Sequence, residues 1–165
     1  MSRIRVRKAA ECDLPALLDI YNYVVRTSAA TFDLEEQTLE QRRKWFAKFD
    51  DQYPLLVADE DGTVVGYACL SKFRDRPAYR QTAESSVYVH RDHQGKGIGK
   101  RLMTELIGLA QTLGYHTIVA GITSGNEASV NLHVQLGFQP IGVFREVGFK
   151  FGRYHDVTFY QLFLR

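Results

Sequence analysis

Ile4 and Val6 sit between Arg3, Arg5 and Arg7, an alternation of apolar and charged residues with the period of a strand. From Leu14 the period changes. Leu14, Leu17, Leu18, Tyr21, Val24 and Val25 recur at three- and four-residue steps, which predicts an amphipathic helix running to about Arg26, with Asp13 as its N-cap and Pro15 in its first turn. A second helix is predicted over residues 38–49, with Trp45 and Phe49 on one side. Residues 54–58 and 64–70 read as strands joined by Asp59-Glu60-Asp61-Gly62, whose Asp-Gly pair signals a hairpin. Residues 84–89 form the next strand. A glycine-rich turn then leads into Leu102, Met103, Leu106, Ile107, Leu109, Ala110 and Leu113 at helical spacing, closed by Gly114. Residues 117–121 read as a short buried strand and 126–136 as a helix ended by Gly137. The segments 139–147 and 156–164 read as closing strands. The order β-α-α-β-β-β-α-β-α-β-β mixes a hairpin meander with strand–helix–strand units, which predicts an α/β (α+β) fold with a mixed sheet and helices on both faces.

Composition narrows the function classes. The 165 residues contain no Pro/Ser/Gly-rich linker or repeat, so 1–165 is read as a single domain, large enough to bury a core without disulfide or metal. Twenty-one Lys and Arg against 19 Asp and Glu leave +2, without the basic excess of a nucleic-acid binder, so no nucleic-acid partner is expected. Cys12, Cys69 and five histidines lack metal-site spacing, so no metal is expected. The first seven residues, Met1 to Arg7, hold no continuous apolar run of the signal-peptide kind, and no stretch approaches about 20 apolar residues. These features predict a cytoplasmic protein with no membrane partner.

The stretch Gln94-Gly95-Lys96-Gly97-Ile98-Gly99-Lys100 leads from a strand into an amphipathic helix. Its glycines would let backbone approach a ligand, and free N–H groups at the helix start favour phosphate oxygens. A P-loop would need glycine where Gln94 stands and Ser or Thr where Arg101 stands. A dinucleotide fingerprint would need G-x-G-x-x-G near the first strand, and Gly95, Gly97 and Gly99 run G-x-G-x-G late in the chain.

Gln94 to Gly99 resembles the Q/R-x-x-G-x-G/A loop of the GNAT acetyltransferases, and Asn126, Ser129, Leu132, Gly137 and Phe138 fit that family's later N-x-x-A-x-x-L-Y-x-x-x-G-F signature. Here Ser129 replaces alanine and His133 replaces tyrosine. Residues 82–89 and 148–157 are further similar to the subfamily that acetylates the α-amino group of phosphinothricin or methionine sulfoximine. The resemblance implies a mostly antiparallel sheet of about seven strands, acetyl-coenzyme A as co-substrate and a homodimer. It implies cofactor contacts from Gln94, Gly95, Lys96, Gly97, Ile98, Gly99, Lys100 and Asn126, and from backbone donors at Val87, Tyr88 and Val89. Glu84 and His133 occupy the positions that the resemblance associates with catalysis.

The chemistry wants such groups. An α-amine with a pKa of about 8 is mostly protonated at neutral pH and attacks only when neutral, so a base must take a proton. Glu84 can do so directly or through water. His133, two helical turns beyond Asn126, can protonate a departing thiolate or help deprotonate the amine. The basic, aromatic loop containing Arg74, Asp75, Arg76, Tyr79 and Arg80 suits carboxylate or phosphinate oxygens of the small-molecule amine substrate. Lys150 and Arg153 compete for that role. Ser85 and Ser86 adjoin Glu84 as substrate contacts, and Phe32 and Tyr88 could wall the pocket. A protein or peptide N-acetyltransferase and a non-catalytic acetyl-coenzyme A module are the alternatives.

Overall fold

The computed structural model describes residues 3–165, so the first two positions of the alternating N-terminal stretch lie outside the described residues. Seven strands form one sheet in the order β1-β2-β3-β4-β5-β7-β6. They are β1 Ile4–Lys8, β2 Leu55–Glu60, β3 Thr63–Lys72, β4 Thr82–Val89, β5 Thr117–Thr123, β6 Gln139–Lys150 and β7 Arg153–Phe163. The helices are α1 Leu14–Thr27, α2 Leu39–Phe46, α3 Ile98–Thr112 and α4 Glu127–Gln135. Every neighbouring strand pair is antiparallel except β4 with β5. The mixed, mostly antiparallel sheet and the element order agree with the sequence expectation.

The near-continuous apolar runs of β2 and β3 have a simple cause: both faces are covered. Leu56, Ala58, Ala68 and Leu70 pack with Leu102, Met103 and Leu106 of α3. Their neighbours Leu55, Val57, Tyr67 and Cys69 pack with Leu17 and Ile20 of α1. Arg42 of α2 is buried at the edge of the second cluster, its guanidinium 3.5 Å from the Trp45 ring centroid and 4.3 Å from that of Tyr21. It donates to Tyr67 Oη at 2.7 Å.

Three local expectations change. Asp13 precedes α1 but does not cap it with its side chain; its carboxylate instead takes Arg7 through two 2.9 Å bonds and accepts from Ala10 N at 2.7 Å. The second helix ends at Phe46 rather than Phe49, because residues 48 and 49 close i→i−3 turns onto Trp45 and Phe46. The closing hairpin is longer than its hydrophobic pattern suggests. Phe151 (φ 55°) and Gly152 (φ 73°) make a two-residue turn with both residues left-handed, so 148–157, half of the subfamily resemblance, forms the hairpin's end.

Candidate active site

The site follows from one interruption in the sheet. β4 and β5 pair only through Thr82–Thr117, Ala83–Ile118 and Glu84–Val119, while β3 accompanies β4 to Val89. Beyond Glu84 the two parallel strands separate. Along β4 the N–H groups alternate in direction, and His90 N donates to Val65 O of the β3 side at 2.8 Å. By that alternation the N–H groups of Val87 and Val89 face the gap and that of Tyr88 faces β3. Tyr88 is in the cleft lining, but its ring packs against Tyr21 and Tyr67, centroids 5.9 and 5.3 Å away.

The gap opens into a cleft of about 720 Å3. One wall comes from β4, including Ser85, Ser86 and Val87. The opposite wall comes from β5 and α4, including Gly121, Asn126 and His133, and a third side comes from Tyr23, Ser28 and Ala30. The mouth holds Gln94, Gly95, Gly97, Ile98, Gly99 and Lys100, whereas Lys96 is exposed outside the cleft lining.

The glycine loop is built for close approach. Gly95 and Gly97 have φ of 75° and 76°, where an L side chain is strained, and a Cβ at either would project into open space. Gly97 also precedes α3, whose first N–H groups at residues 98–100 have no partner within the helix; Arg101 N is the first to find one, at Gly97 O. Gly99 serves packing instead. A Cβ there would lie 3.2 Å from Leu132 Cδ2, so its absence lets α3 and α4 approach. Gln94 Nε2 donates to Val89 O at 2.8 Å and ties the loop back to β4. Unpaired N–H groups around a glycine concavity fit a pyrophosphate. Acetyl-coenzyme A carries one, so the residues present fit that group.

The two titratable candidates are tuned in opposite directions. Glu84 is half-buried on the last β4–β5 rung, one residue before the cleft-lining Ser85. Burial pushes its carboxyl above the usual carboxylate range, and the charge of Arg74 partly opposes this. His133 is 3% exposed, and burial moves its imidazole below the ordinary histidine value, opposed by its bond to Ser129. Nδ1 lies 2.7 Å from Ser129 O. A carbonyl only accepts, so Nδ1 carries the hydrogen and neutral His133 keeps its lone pair on Nε2. Phe138 packs edge-on against the ring, centroids 4.9 Å apart.

The remaining candidates divide. Asn126 is the N-cap of α4, its Oδ1 accepting from Ser129 N at 3.3 Å, so it lies in the lining with His133 through the helix start rather than on a shared helical face. Ser85 Oγ is buried without a partner among the described residues. Ser86 lies in the lining and opposite Cys69 in the β3–β4 register. Arg74, Asp75, Arg76 and Tyr79 are exposed and lie outside the cleft lining: Arg74 stacks on Phe73 at 4.7 Å, Asp75 accepts from Lys72, and Arg76 precedes a short turn at Pro77–Tyr79. Only the influence of Arg74 on Glu84 links this loop to the site. Lys150 is buried, with Nζ donating to Ser28 O and Thr31 O at 2.8 and 2.9 Å. It fastens the α1–α2 segment that closes one side of the cleft, and so loses its case as an anion binder. Phe32 of that segment packs where a side chain at Gly148 would be. The sequence reading omitted Tyr23 and His93, which also line the cleft; His93 adjoined the glycine motif and could have been included on that ground. Among the described residues no group of three or more His, Cys, Asp or Glu is arranged for a metal, and no helix is long and apolar enough to cross a membrane.

Residues 6–159 match the family described as acetyltransferase (GNAT) domain. An L-methionine sulfoximine/L-methionine sulfone acetyltransferase of Salmonella typhimurium is 43% identical over 158 residues, covering 95% of this chain and 92% of that protein. A phosphinothricin N-acetyltransferase of Streptomyces coelicolor is 42% identical over 164 residues, covering 97% and 96%. A solved acetyltransferase from Salmonella typhimurium with its cofactor acetyl-CoA superposes with a TM-score of 0.94 at 42% identity, covering 98% of this chain and 94% of that one.

Proposed function

This chain belongs to the acetyltransferase (GNAT) domain family, and from that premise we propose that it acetylates the α-amino group of a small amino-acid-like substrate of the phosphinothricin or methionine sulfoximine type. The observation that carries this reading is the early end of the β4–β5 ladder, which turns strand N–H groups onto a cleft bordered by the left-handed glycine loop.

Acetyl-coenzyme A supplies an acetyl group activated as a thioester. Gly95, Gly97 and the first N–H groups of α3 hold its pyrophosphate, with Gln94 bracing the loop and Lys96 and Lys100 adding positive charge. Asn126 contacts the same cofactor from the opposite wall. The N–H groups of Val87 and Val89 receive the negative charge that develops on a carbonyl oxygen during transfer. Two protons must leave the substrate's ammonium. Glu84 takes the first, because a carboxyl raised by burial is a better base than an exposed one. His133 takes the second at Nε2 and returns it to the departing sulfur, which needs one. Ser85 and Ser86 adjoin the amine.

Arg74, the residue of this loop whose charge reaches Glu84, receives the substrate's acid group, while Asp75 holds Lys72 at the loop's base. Removing Arg74 is expected to cost roughly 10- to 150-fold in kcat/KM for methionine sulfoximine, the loss of one charge-assisted contact, and to spare a neutral amine of similar size. Thiol release from acetyl-coenzyme A by the wild type and Arg74→Ala, with methionine sulfoximine, phosphinothricin, the neutral amine and a lysine-containing peptide, tests both statements. Turnover of the peptide alone would replace the small-substrate reading, and no turnover of any amine would leave a cofactor-binding module. Equal losses on the acidic and neutral amines would remove Arg74 from the substrate.

Residues 1–165 act as one domain in the cytoplasm, where acetyl-coenzyme A is made and used, without nucleic-acid or membrane partners. Two copies pair through the β6–β7 hairpin: Ile141, Val143, Phe144, Val147, Phe149 and Tyr154 are each more than half exposed, a run of apolar surface that monomers seldom carry. Sedimentation equilibrium reads the association, and a monomer at all concentrations would refute it.

A further inference from the structure

Among the described residues, two buried polar atoms beside the glycine loop lack a hydrogen-bond partner: His93 Nδ1, in the turn Arg91–His93 that enters the loop, and Glu60 Oε2, at the end of β2. Their side chains face each other, with Nδ1 3.8 Å from Glu60 Oε1, beyond hydrogen-bond reach. Leaving such groups unpaired is unfavourable, most of all for a carboxylate. The imidazole is also 21% exposed and lines the cleft beside Gln94 and Gly95. Its buried edge looks at a carboxylate, and its open edge belongs to the cleft where the glycine loop would receive phosphate.

We propose that Glu60 and His93 form an anion-binding pair for the cofactor, in which the His93 imidazolium donates from Nε2 to a pyrophosphate oxygen and from Nδ1 to the Glu60 carboxylate. The inference rests on the acetyl-coenzyme A reading of this cleft. Its force comes from the number of hydrogens. A neutral ring with its hydrogen on Nδ1 turns a lone pair to the phosphate; a neutral ring with its hydrogen on Nε2 turns one to Glu60. Only the doubly protonated ring suits an anion on each side. Cofactor binding therefore requires a proton on both ring nitrogens, and imidazoles change charge between about pH 5 and 8.

The other charged groups around His93 have partners or lie farther off. His90, ring centroids 5.5 Å away, accepts from Asp92 N at Nδ1 and approaches Asp19 of α1 at 3.5 Å through Nε2. Asp92 lies 3.9 Å from His90, and Arg91 pairs with Asp19 at 3.4 Å. Lys100 of α3 lines the same cleft and adds positive charge to it. Glu60 is the carboxylate that meets His93 itself.

Calorimetry of acetyl-coenzyme A binding to the wild type, in two buffers of different ionisation enthalpy at about pH 7.5, is expected to record uptake of up to about one proton. His93→Gln is expected to abolish that uptake and weaken acetyl-coenzyme A by about tenfold or more, the loss of a charge-assisted contact. Glu60→Gln is expected to lower both by a smaller factor. S-acetylpantetheine, which ends before the phosphates, should bind the wild type and His93→Gln equally, and that equality separates a phosphate contact from damage to the cleft. Unchanged affinity and uptake in His93→Gln would overturn the pair, as would an equal loss for S-acetylpantetheine. A wild type that does not bind acetyl-coenzyme A would overturn the cofactor reading and this inference with it.

Discussion

Glu84→Gln is expected to reduce kcat/KM at neutral pH by about 10²- to 10⁴-fold while leaving acetyl-coenzyme A affinity unchanged. Glutamine keeps the shape of the side chain on the last β4–β5 rung and removes its charge and its ability to take a proton. The pH profile carries the second half of the prediction. Burial raises the Glu84 carboxyl and Arg74 opposes the rise. Activity requires the ionised form, so it climbs as pH rises through the Glu84 pKa. Arg74→Ala removes the opposing charge and should move that limb to higher pH. Turnover within a few-fold of wild type in Glu84→Gln across the whole profile would remove Glu84 from the proton path, and an unmoved limb in Arg74→Ala would remove the coupling.

His133→Phe is the second large effect, expected to lower kcat by about 10²-fold or more with little change in stability. Phenylalanine can keep the edge-on contact with Phe138 and gives up the Nδ1 bond to Ser129 O. Burial holds the His133 pKa below the usual 6.5, so the ring stays neutral, with Nε2 able to accept, down to lower pH than an exposed histidine. Glu84 is shifted up and His133 down, and both must be deprotonated to act, so both contribute to the acid limb. The wild-type limb should then approach a slope of two in log kcat/KM against pH, falling to one in either variant. A wild-type slope of one, or full activity in His133→Phe, would return His133 to a packing role. Thermal melting of each variant separates slower chemistry from loss of fold.

Much of this protein is legible in local spacing. The i, i+3, i+4 pattern of α3, the Asp-Gly turn between β2 and β3, and the glycines that require left-handed backbone at 95 and 97 depend on neighbours within a few residues, so the chain alone carries them. The same holds for the family resemblance, whose motifs are short and contiguous. The separation of β4 from β5 after Glu84 depends on pairing across more than thirty residues of sequence, and it decides which N–H groups face the cleft. The deep setting of His133, the tie from Lys150 to the α1–α2 segment and the meeting of Glu60 with His93, at the ends of β2 and β4 on either side of β3, likewise follow from which elements the tertiary fold brings together. Sequence determined the elements, the loop and the chemistry on offer, because backbone preference and hydrophobic period act over single turns. Tertiary structure decided which groups are desolvated and which face one another, because burial and charge act through space between residues far apart along the chain.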